Sequence, residues 1–127
     1  MKRMILISLL INVVVLIPVC VGLMLDAHWV TNGYGLASPA RGILLSVYGA
    51  ILLLSLGLLL KPLPILVAPL LLIQVLYKLT TPFTVGSFTN PIVISNLIIA
   101  LVHLITLYLI LKELQEKTLS QTILEWK

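Results

Sequence analysis

The chain has 127 residues, of which 61% are hydrophobic and only 9% charged, where a soluble domain carries charge on roughly a quarter of its residues. That balance excludes a globule covered in water and makes lipid the solvent. The formal charge of +4 does not point to nucleic acid, because Lys2, Arg3, Arg41, Lys61, Lys78, Lys112, Lys117 and Lys127 are scattered, mostly at the ends of apolar runs, and form no basic patch.

A hydrocarbon core needs about 20 apolar residues in a helix rising about 1.5 Å each. Four stretches meet that need, at 4–25, 42–60, 64–80 and 91–111. The first opens like a secretory signal, with Met1-Lys2-Arg3 ahead of an apolar run. It is longer than an ordinary signal core of about 7 to 15 residues, and no small-x-small cleavage site precedes Asp26, so it is expected to stay as a span. Cys20, the only cysteine, offers neither an intramolecular disulfide nor a cysteine-based zinc site, and Val19 before it makes a poor lipoprotein signal. Pro18 in the first span and Pro69 in the third each remove a backbone hydrogen bond and should kink their helices.

The second span carries Gly42, Ser46, Gly49 and Gly57 along one side, a surface that lets helix backbones approach closely in lipid. The facing helix belongs either to this chain or to another copy. Lys61-Pro62-Leu63-Pro64 is a tight turn and predicts an antiparallel hairpin of the second and third spans. The loops at 26–41 and 81–90 are rich in Gly, Pro, Ser, Thr and Asn. Within the first, Asp26 to Gly35 holds the densest polar and aromatic chemistry of the chain, which would suit a partner or ligand surface, and reads foremost as a re-entrant or interfacial loop anchored by Trp29 and Tyr34. After residue 111 the chain turns polar, with charges three and four apart from Lys112 to Lys117 and an apolar edge at Leu119, Ile123 and Trp126. The expected architecture is therefore all-α: a polytopic membrane protein with a four-helix up-down bundle at 1–112 and a cytoplasmic amphipathic tail at 113–127. Lys2, Arg3, Lys61, Lys112, Lys117 and Lys127 would share one side against Arg41 and Lys78 on the other. Basic residues stay in the cytoplasm, so both termini are expected there, in a bacterial inner membrane.

Polar side chains deep in a bilayer are costly unless they face protein or water, which makes them the place to look for function. Asn12, Ser55, Gln74 and His103 fall near the middle of the spans, with Arg41, Tyr48, Tyr77, Lys78 and Asn96 toward the outer side. Spacings of seven align Arg41, Tyr48 and Ser55, and likewise Asn96 and His103, while Gln74, Tyr77 and Lys78 share a face by steps of three and four. Turned inward, Arg41, Tyr48, Gln74, Tyr77, Lys78, Asn96 and His103 would surround an outward-facing amphipathic cleft for a lipid or quinone. The same groups also serve as hydrogen-bonded glue between helices, worth roughly 1 kcal/mol each. The sequence supplies no nucleophile with its base and no phosphate-binding glycine motif. His28 lies in the outer loop and cannot join His103 as a second buried ligand, and every acidic residue falls outside the spans. No catalytic residue, metal site or cofactor is assigned.

Ala40-Arg41-Gly42 entering a span, followed by Tyr48-Gly49 and Ser55-Leu56-Gly57, resembles the small DoxX-like four-helix membrane proteins. The resemblance covers chiefly the second span and implies the same bundle, with an arginine heading a glycine-containing helix. Three functions follow from these readings. The first is a small accessory or assembly subunit acting through helix contacts, with a membrane protein or a second copy as partner. The others are a binder or carrier of an amphipathic ligand and a DoxX-like membrane enzyme.

Overall fold

The computed structural model describes residues 1–126 and is entirely helical apart from short connections. Five helices follow in order: α1 (Lys2–Leu25), α2 (His28–Tyr34), α3 (Pro39–Leu60), α4 (Pro64–Val85) and α5 (Pro91–Glu125). All but α2 are long and apolar enough to cross a membrane. Their boundaries have local causes. Proline opens α3, α4 and α5, where its missing N–H and fixed φ cost nothing. Ser38 Oγ accepts from the Arg41 amide at 3.2 Å, and Asn90 Oδ1 from the Ile92 amide at 2.8 Å, so α3 and α5 each begin on a side-chain cap. Helix α1 ends where Asp26 turns left-handed (φ 53°), and α4 where Gly86 does (φ 74°).

The bundle has a loop end, carrying α2 and the 86–90 turn, and a terminal end, carrying Met1, the 61–64 turn and the second half of α5. Helices α1 and α3 pack extensively, as do α4 and α5, and the two pairs join where α1 meets α5. Ile5 and Leu9 of α1, Leu71 of α4 and Ile110 of α5 are fully buried in one apolar cluster. The tight 61–64 turn was expected to press the second and third spans together, yet α3 and α4 touch only briefly. The turn fixes their direction and leaves their separation to side-chain packing.

Several expectations are revised. The third span was expected at 64–80, but α4 runs on to Val85 through Pro82. Pro82 deprives the Lys78 carbonyl of its helical donor, and the Thr81 hydroxyl donates to that carbonyl at 2.7 Å instead. Pro18 and Pro69 lie inside α1 and α4, within the spans as expected. The stretch read as an interfacial loop folds into α2, which buries Val30 completely. Gly22 makes room for it: a Cβ there would lie 2.6 Å from Trp29 Cζ2 and 2.8 Å from Val30 Cγ2. Gly33 does the same on the other side, where a Cβ would lie 2.5 Å from Ile92 Cγ1.

The polar stretch after residue 111 continues the fourth span as helix, in keeping with its charges three and four apart, and α5 runs unbroken for 35 residues, a length of about 52 Å. A hydrocarbon core is about 30 Å thick, so with residues 91–111 in lipid the rest projects past the boundary. Trp126 is 87% exposed at the far tip. Gly42, Ser46 and Gly57 are exposed and Gly49 half-buried. A Cβ at any of these three glycines would meet nothing within 4 Å, so this face meets no helix of its own chain.

Candidate functional site

The loop end holds a cavity of about 460 Å³ where α3 and α4 stand apart. Leu44 and Tyr48 of α3 form one wall, and Tyr77, Thr81 and Val85 of α4 the opposite one. Asn96, Val93, Ile92 and Asn90 of α5 close the back, and Gly33, Tyr34 and Gly35 at the end of α2 complete the rim. Tyr34 meets Tyr48 edge to face, ring centroids 6.1 Å apart. Burial holds the Tyr34 phenol far above its ordinary range, with Tyr48 beside it adding to the shift, so the ring presents a neutral hydroxyl. The Tyr77 hydroxyl oxygen is buried and has no partner among the described residues. Apolar walls with a few convergent hydroxyl and amide groups are the make-up of a small-molecule site.

Lys78 lies behind this wall, 4% exposed. Its Nζ donates to Asn96 Oδ1 at 3.0 Å and stands 5.1 Å from the centre of the Tyr77 ring. Both of these neighbours line the cavity.

Arg41 is occupied differently. Nη1 donates to the Gly35 carbonyl at 2.9 Å, and Nη2 pairs with Asp26 Oδ1. Asp26 precedes α2 and Gly35 follows it, so one guanidinium ties down both ends of that short helix. Asn90 Nδ2 adds a bond to the Gly33 carbonyl at 3.2 Å. The arginine expected to line the cleft instead positions its rim.

A second polar group sits deeper, where α1, α3 and α5 meet. Asn12 Nδ2 donates to Ser55 Oγ at 3.0 Å, and Asn12 Oδ1 faces His103 Nε2 at 2.9 Å. An amide so oriented makes Nε2 the donor, which leaves Nδ1 a buried acceptor without a partner among the described residues. One helical step toward the terminal end, Ser8 and Thr106 share a hydrogen bond of 2.7 Å, and Thr106 also reaches the Met4 carbonyl at 3.2 Å. Gln74 is buried too, but its Nε2 returns to the Leu70 carbonyl of its own helix at 3.4 Å.

The seven residues expected around one cleft thus divide. Tyr48, Tyr77 and Asn96 line it, and Lys78 backs it. Arg41 braces its rim, while His103 and Gln74 lie outside its lining. Sequence reasoning carried Tyr34 only as an anchor of the outer loop and missed Asn90, Ser8 and Thr106. The last two were accessible, because Ser8 precedes Asn12 by four and Thr106 follows His103 by three, extending polar faces already recognised. The place of Tyr34 at the cavity gave no such signal, since it depends on a helix of about two turns that apolar periodicity does not reveal.

No group of three or more His, Cys, Asp or Glu converges among the described residues. No family model, curated protein or solved structure matches the chain, so the DoxX-like resemblance rests on the α3 residues alone.

Proposed function

We propose that this chain binds an amphipathic molecule in the loop-end cavity and holds it at the membrane boundary, as a binder or carrier. The observation that carries this reading is the cavity itself. It joins apolar walls to a buried Tyr77 hydroxyl without a partner among the described residues, and a buried hydroxyl without a partner is costly unless something else supplies one. The proposed orientation puts Lys2, Lys61 and Lys117 in the cytoplasm, so that the cavity opens outward. Labelling of a cysteine placed at Asp26 by an impermeant reagent on intact cells supports this orientation, and its complete protection reverses it.

The binding experiment is purification in mild detergent followed by mass spectrometry of retained lipids. The expected result is a stoichiometric amphipath in the wild type that Leu44→Trp, which fills the cavity, no longer retains. Equal retention by both proteins would sink the proposal.

A second reading has its own observation. The Gly42, Ser46, Gly49 and Gly57 surface faces away from the rest of the chain, which supports an accessory subunit that assembles through α3 with a membrane protein or a second copy.

A further inference from the structure

We infer that the amphipath is an anion, with a carboxylate or phosphate headgroup that pairs with Lys78 through the back of the cavity. The inference rests on the binding reading above and gives it a ligand class. Its basis is a charge without a counter-ion. The four acidic residues are Asp26, Glu113, Glu116 and Glu125, and none lies within an apolar run. Asp26 is already paired with Arg41, and Glu113 with Lys117. Glu116 and Glu125 stand on the projecting half of α5, at the opposite end of the bundle from the cavity.

Among the described residues Lys78 therefore meets no carboxylate, and its polar contacts are neutral, the Asn96 carbonyl oxygen and the face of the Tyr77 ring. An ammonium carries three donors, and Asn96 takes one of them. Arg41 makes the contrast within the same molecule: it is nearly as buried, and it has a carboxylate. Buried charges in proteins are ordinarily paired. Here both groups touching the unpaired charge also line the cavity, so the missing partner has a place to sit. A carboxylate or phosphate beside Asn96 would accept from the remaining Lys78 donors and from the free Tyr77 hydroxyl together. Its tail would lie along Leu44, Val85 and Val93.

Equilibrium dialysis of the purified protein in neutral detergent, with radiolabelled laurate, dodecyl phosphate and methyl laurate, tests this. Binding is counted as the part that Leu44→Trp abolishes. At least one of the two anions is expected to bind ten times or more tighter than methyl laurate, and whichever does so identifies the headgroup. In Lys78→Met the preference should fall to within about twofold. Methyl laurate binding as tightly as both anions overturns the anionic assignment and leaves the cavity reading intact. No cavity-dependent binding of any of the three overturns both. The wild-type comparison decides the matter alone if Lys78→Met does not fold.

Discussion

At the scale of single residues, the structure separates two kinds of buried polar group. Asn12, Ser55 and His103 bond to one another across three helices, with only His103 Nδ1 left over, while the Tyr77 hydroxyl has no partner at all among the described residues. Replacing a member of the first set strands its partners. His103→Leu leaves Asn12 Oδ1 without its donor, and is expected to cost about 1–2 kcal/mol, the range seen for polar contacts between membrane helices. Tyr77→Phe removes a buried hydroxyl with no partner among the described residues, so the ligand-free protein should be at least as stable as wild type, by up to about 1–3 kcal/mol. Retention of the bound molecule should move the other way, preserved in His103→Leu and reduced in Tyr77→Phe. Thermal unfolding with lipid analysis of the same samples checks both, and a His103→Leu protein that is fully stable but stripped of lipid would exchange the two roles. The inward direction of these groups was legible in the sequence, because an unpaired polar group in hydrocarbon is too costly to face lipid. Which of them share a cavity was not legible. That depends on the gap between α3 and α4, which no spacing within a single helix encodes.

At the scale of elements, α2 shows how a segment with no periodic signal acquires a fixed place. Seven residues make a marginal helix alone. Here Gly22 and Gly33 allow it to settle against α1 and α5, and Arg41 and Asn90 bond to carbonyl or carboxylate groups at its ends. Gly22→Leu would drive a side chain into the Trp29 ring and Val30, neither of which can withdraw without lifting α2. Overpacking of this kind costs about 1–3 kcal/mol. The expected signature is a lowered unfolding temperature together with faster proteolysis in the 26–38 segment, because α2 is the part displaced. Protease resistance equal to wild type would mean that α2 tolerates the intrusion and is not held by this contact. The spans themselves were legible from apolar length, and the start of each of the last three to the residue or within three, because Pro39, Pro64 and Pro91 stand where helices begin. The ends at Leu25 and Leu60 were equally legible, and that of α4 was not. A proline ordinarily stops a helix, and only the Thr81 hydroxyl on the Lys78 carbonyl explains why α4 continues through Pro82.

At the scale of the whole molecule, two tight helix pairs meet through α1 and α5, and the outer faces of α3 and α4 are left largely to lipid. A glycine-rich side is usually read as a contact surface, since small residues let backbones approach and dispersion then drives association in lipid. On α3 that side has no contact to make within the chain, so its glycines serve either a second molecule or nothing. Gly57 distinguishes these cases because it is exposed, with open space where a Cβ would stand. In Gly57→Leu the added side chain enters lipid without disturbing the bundle, and the change removes a residue that weakens a helix by up to about 1 kcal/mol. The isolated chain should therefore unfold at an equal or higher temperature. If α3 is the assembly surface, the leucine holds the partner helix away, and the complex seen by cross-linking in membranes should fall by about tenfold or more at the same expression level. A loss of stability in the isolated chain would place Gly57 against a neighbour within the bundle, contrary to its open surroundings. Unchanged assembly with unchanged stability would remove the accessory reading and leave α3 as a plain lipid-facing wall of the ligand cavity.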